Sequence, residues 1–159
     1  MFTYNHHLTV RYGDTDQMGY NVYNDTYGIY IAQARTAALR SLGTAEEDWT
    51  EQNIKMHLIR VHLNFVQPAY CDDRLTIKTS IENLPGKQML VKYEIRNQKE
   101  ELISKGETYH AFANADNREA VNAPEVLVQK LNPFFGLQTT PVVSINNEHT
   151  SLRELKKAV

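Results

Sequence analysis

Two carboxylates stand two residues apart in "RYGDTDQMGY", where Asp14 and Asp16 precede Gly19 and a run of tyrosines and asparagines that leads into an apolar segment. A carboxylate in such a loop can attack an electrophilic carbon or take a proton from water. It can also order a turn through its own backbone, which is the commoner use of Asp beside Gly. An Asp-x-Asp pair can bind a divalent cation as well, but that needs more oxygen ligands than this loop supplies, so no metal is expected. The loop ends where a helix begins. A helix N-terminus presents unpaired N–H groups and the positive end of the macrodipole, so an acid placed just before it shares one spot with oxyanion donors.

The elements that must hold this loop follow from periodicity. Tyr4, His6, Leu8, Val10 and Tyr12 alternate with polar residues, as a half-buried strand does. From Asp25 to Leu42 the apolar residues fall on most sides of a helix, which predicts burial nearly all round, with Asp25 as its cap and Gly43 as its stop. "TAEEDWTEQN" predicts a short second helix capped by Thr44 with Glu47 three residues on. Three alternating runs follow, Ile59 to Phe65, Leu75 to Ile81 and Met89 to Ile95, each with one wet face. "LPGK" at 84–87 predicts a type II turn between the last two of these. Another strand is expected over Leu102 to Ala113, then a helix begun by Pro124 and ended before Pro133. The sum is an α+β domain over 1–135, with its sheet curled around one helix, and a C-terminal tail over 136–159 that includes a terminal helix "SLRELKKA".

Composition narrows the partners. With 17 Lys plus Arg against 19 Asp plus Glu, the net charge of -2 argues against a nucleic-acid surface. No run is long enough to insert in a membrane, and a single cysteine, Cys71, excludes an internal disulfide framework. A cytoplasmic protein is expected.

"GDTDQMGY", the aromatic turn into a helix ending "AQAR", "FVQPAYCDDRLTIKTSI" and "KGETYHAFAN" together resemble the hotdog-fold acyl-CoA thioesterases of the 4-hydroxybenzoyl-CoA thioesterase family, including the Tol-Pal-associated branch. The resemblance runs over roughly 5–130 and implies hydrolysis of an acyl thioester, carried by CoA or an acyl carrier protein, without a cofactor. It puts the catalytic carboxylate on Asp16 and the oxyanion amides near Tyr23 and Asn24, with Gly19, Tyr20 and Tyr27 completing the substrate site. It also implies a homodimer or homotetramer, for which open sheet edges give an independent reason. Two departures stand out: Tyr23 occupies the place where Tol-Pal-associated members often carry His, and Pro85-Gly86-Lys87 lacks the basic cluster some relatives turn toward CoA phosphates. A silent acyl-binding module is the rival reading, discriminated by turnover. A hotdog dehydratase is disfavoured because no His lies in the loop or the first half of the helix. His57, His62 and His110 are expected to be structural or surface groups, Asp14 a loop former, and Arg35 a helix-surface ion pair or interface contact.

Overall fold

The computed structural model describes residues 1–16, 22 and 24–136. Five antiparallel strands form one sheet in the order β1-β3-β4-β5-β2: β1 (Phe2–Thr9), β2 (Ile54–Phe65), β3 (Arg74–Ile81), β4 (Gln88–Arg96) and β5 (Leu102–Asn114). Helix α1 (Asn24–Ser41) lies in the curl of this sheet, and α2 (Glu125–Leu131) follows β5. This is the α+β hotdog arrangement that the sequence led us to expect.

The central strands obey their alternation. Leu75, Ile77 and Ile81 on β3 and Met89, Val91, Tyr93 and Ile95 on β4 are buried, while their neighbours are not. Register pairs Ile77 with Ile95 and Thr79 with Tyr93, so the buried side chains form one apolar face against α1. Helix α1 differs from expectation. Only Tyr27, Tyr30, Ile31, Ala34, Ala38 and Leu39 are buried, a stripe at helical spacing. Ile29, on the far side, is 58% exposed, because one five-stranded sheet can cover only one side of a helix.

Strand β2 also departs from the simple pattern. It pairs only with β5 and forms an edge, and its register slips between Leu58 and Arg60. The extra residue at this bulge reverses which side chains face inward. Ile54 and Met56 pack on the core before it and Leu63 after it, while Leu58, Ile59, Val61 and Phe65 are exposed. β1 is shorter than its periodicity suggested: it stops at Thr9, and Tyr12 begins an exposed 3₁₀ turn.

Three turns differ in detail. β3 and β4 form the expected hairpin, but Gly86 lacks the positive φ a type II turn requires; its carbonyl instead accepts the Ala123 N–H at 2.7 Å, docking the segment before α2. The second short helix is a 3₁₀ segment, Glu46–Gln52, capped at Ala45, whose N–H donates to the Asp48 carboxylate at 2.8 Å. Thr44 is buried and accepts the Trp49 indole N–H at 3.0 Å, so the expected cap serves the core. After α2 a 3₁₀ turn, Asn132–Phe135, carries the chain back to β1, where the rings of Phe134 and Phe2 meet edge to face at 5.0 Å. Apart from Gly136, the expected tail lies outside the described residues. None of the described helices is long and apolar enough to cross a membrane.

Candidate functional site

The loop of acids is built outward from the end of β1. Val10 is fully buried and exchanges backbone hydrogen bonds with the segment before β3, accepting from Asp72 and donating to Asp73, both at 2.9 Å. Arg11 then caps the 3₁₀ turn Tyr12–Asp14, its N–H donating to Asp14 Oδ2 at 3.2 Å. The same carboxylate oxygen accepts the Tyr30 hydroxyl from α1 at 2.9 Å and faces Arg11 Nε at 3.7 Å. Asp14 is thus occupied in ordering the loop, the role expected of it. Burial of Tyr30, then its bond to Asp14 and the charge there, hold the Tyr30 phenol well above its ordinary range, so Tyr30 is a standing donor.

Beyond Asp14 the chain extends. Thr15 is buried, its hydroxyl donates to the Tyr12 carbonyl at 2.6 Å, and its backbone bridges to Val22. Val22 in turn donates its N–H to the Ala69 carbonyl at 2.9 Å, and the Ala69 N–H donates to the Tyr27 hydroxyl at 3.2 Å. Asp16, half-buried, therefore sits one residue past a strand pair whose other member lies two residues before α1. Burial raises the Tyr27 phenol above its usual value, and its ring packs on Tyr30 and Phe65 at 6.0 and 5.2 Å.

A cavity of about 270 Å³ opens at this end of α1, lined by Val22, Asn24, Tyr27, Phe65, Gln67 and Pro68 among others. Of the residues singled out in the sequence, Asn24 and Tyr27 meet here; Asp16 is not among the lining residues, but its neighbour Thr15 bridges to Val22, which is. Gly19, Tyr20 and Tyr23 lie outside the described residues. Phe65, Gln67 and Pro68 were missed as walls of a site. The string "FVQPAY" was visible, but its place beside α1 depends on the strand order. A larger groove of about 1050 Å³ runs along the uncovered side of α1 past Tyr4, His6, Ile29, Ala32 and Ala37. Asp16 lines neither, but Asn24 and Tyr27 line the smaller cavity and not this groove, so the smaller cavity is the better candidate for chemistry.

Asp25 is exposed within the first turn of α1, past the capping position, where its charge still favours the helix dipole. His57 and His62 are exposed on the edge strand, whereas His110 is buried with its Nε2 at 2.8 Å from the Thr108 hydroxyl. Arg35 is no surface ion pair: its Nε is buried without a partner, and its charge bears on Tyr93 and His110 across the core. Burial, then Arg35, lower the His110 pKa from 6.5 to about 4, so the ring is neutral at ordinary pH.

Residues 10–131 match the family model described as the thioesterase-like superfamily. A 1,4-dihydroxy-2-naphthoyl-CoA hydrolase of Crocosphaera subtropica is 27% identical over 135 residues, spanning 81% of this chain and 94% of its own. The acyl-CoA thioester hydrolase YbgC of Escherichia coli is 28% identical over 100 residues, spanning 63% and 74%. The solved structure of a 1,4-dihydroxy-2-naphthoyl-CoA thioesterase from Synechocystis superposes with a TM-score of 0.76 at 21% identity, covering 82% of this chain and 96% of the other, a likeness of fold.

Proposed function

The chain belongs to the thioesterase-like superfamily, and from that premise we propose that it cleaves acyl-CoA thioesters with Asp16 as the catalytic carboxylate. The observation that supports this reading is the bridge between Thr15 and Val22: Asp16 follows the first in the chain, and the second lines the cavity at the start of α1. A thioester carbonyl held there meets a carboxylate from the loop and free N–H groups from the first turn, near Asn24.

Either of two balanced routes leads to the same products. Asp16 attacks the carbonyl carbon, the C–S bond breaks and CoA leaves as thiolate, and water then hydrolyses the acyl-aspartate anhydride. Alternatively Asp16 takes a proton from water as its oxygen adds to the carbonyl, and the tetrahedral intermediate collapses to acid and thiolate. In both, the helix N–H groups stabilise the oxyanion and the thiolate leaves without a metal. The acyl group lies against Phe65, Pro68 and the Tyr27 ring.

The exposed Leu58, Ile59, Val61 and Phe65 on the edge strand β2 support a second copy completing the sheet, giving a homodimer or a homotetramer. The test of the catalytic reading is thiol release from acyl-CoA, followed with a thiol reagent. Asp16→Asn keeps the side-chain size and removes the charge, so turnover falls by roughly 10²- to 10⁴-fold with the fold intact. Parent-level turnover by Asp16→Asn would refute the carboxylate mechanism.

A further inference from the structure

The backbone that leads to Asp16 is fastened to α1 through Asp14. Its carboxylate accepts the Tyr30 hydroxyl at 2.9 Å, and its carbonyl accepts the Thr26 hydroxyl at 3.5 Å. Both donors belong to the first two turns of the helix whose N-terminus forms one wall of the cavity. Asp16 follows two residues later, within about 7 Å of chain from that anchor.

We infer that Tyr30 is a positioning residue, whose hydroxyl holds Asp14 and through it aims the Asp16 carboxylate at the helix start. This rests on the reading of Asp16 given above. Packing alone does not account for the hydroxyl. The Tyr30 side chain is 3% exposed and its ring meets Tyr27 edge to face, which Phe would do equally well. A hydroxyl taken out of water costs free energy unless it is bonded, and this one is bonded to a carboxylate, the stronger kind of partner. The bond spans 16 residues and ties the two ends of the segment between the loop and the helix. Thus the acid and the oxyanion donors, which come from separate elements, are set relative to each other by a side chain that acts through Asp14.

Chemistry in which a carboxylate must approach a carbonyl loses steeply with small misplacement, so kcat is the sensitive quantity and KM is not. The experiment compares kcat and KM for acyl-CoA in the parent, Tyr30→Phe, Asp14→Ala, Asp14→Asn, the Tyr30→Phe/Asp14→Ala pair and Asp16→Asn, with melting temperatures alongside. Tyr30→Phe and Asp14→Ala each lower kcat about ten-fold with KM within about two-fold, and the pair is no worse than the worse single variant. Asp14→Asn, which keeps an oxygen to accept the Tyr30 hydroxyl, recovers most of the loss, and it decides the matter against Asp14→Ala if Tyr30→Phe fails to fold. If Asp16→Asn is inactive while Tyr30→Phe turns over at the parent rate, whatever its melting temperature, the positioning role is overturned and the catalytic reading stands. If Asp16→Asn keeps parent activity, the catalytic reading itself fails, and the positioning role with it.

Discussion

Lowering the pH should destabilise this protein through one buried ring. His110 is 1% exposed, bonded at 2.8 Å to Thr108, which also meets the Tyr93 hydroxyl of β4 at 3.1 Å, and it faces the Arg35 cation of α1. Its pKa falls from 6.5 to about 4 on folding, chiefly through burial. The unfolded chain therefore binds a proton between those values that the folded chain refuses. Stability from this source is complete above about pH 6.5, declines as pH falls, and levels off below about pH 4. Over the whole window the loss is about 3 kcal/mol, and down to about pH 5 it is about 2 kcal/mol. That is a large share of a domain stability of roughly 5–15 kcal/mol. The assay is urea denaturation at fixed protein concentration, followed by the fluorescence of the fully buried Trp49, from about pH 7.5 to about pH 5, which stops short of most carboxylate titration. His110→Gln starts less stable at the upper pH because packing is lost, but its stability changes by about 2 kcal/mol less across the interval than the parent's. His6 is also lowered by partial burial and adds a smaller slope of the same sign to both proteins. Parallel pH profiles for the parent and His110→Gln would refute the reasoning.

Two other perturbations test the frame around the site. Gly106 lies where β5 meets β2, and a Cβ there would strike the His62 carbonyl oxygen and carbon, which are backbone and cannot turn aside. Gly106→Ala should cost about 1–3 kcal/mol or more, seen as a lower urea midpoint, and an unchanged midpoint would mean β2 is free to move. On the exposed edge, Val61→Lys should shift light scattering from an oligomer toward the 18.3 kDa monomer at micromolar concentration; a parent that is already monomeric would remove the assembly proposal.

Local patterns were enough wherever a residue's environment is set by its near neighbours. The alternation in β3 and β4 was legible because each strand is flanked on both edges, and pleating then sends every second side chain to the same core. The order of acid, loop and helix in 14–41 was legible for the same reason, since it is a matter of adjacency along the chain. Only the tertiary structure decided where adjacency ends. One inserted residue near Ile59 swaps the faces of β2, and nothing in its alternating sequence marks the slip. The stripe on α1 looked like all-round burial because Ile29 and Ala32 are apolar whether or not a sheet is there to cover them. Arg35 and His110 are ordinary polar letters until the helix is laid across β4 and β5, where burial and the Arg35 charge lower the His110 pKa. The bond from Tyr30 to Asp14 is the same kind of fact: a hydroxyl and a carboxylate 16 residues apart in the chain meet only in the fold, which anchors the first of the two acids to α1.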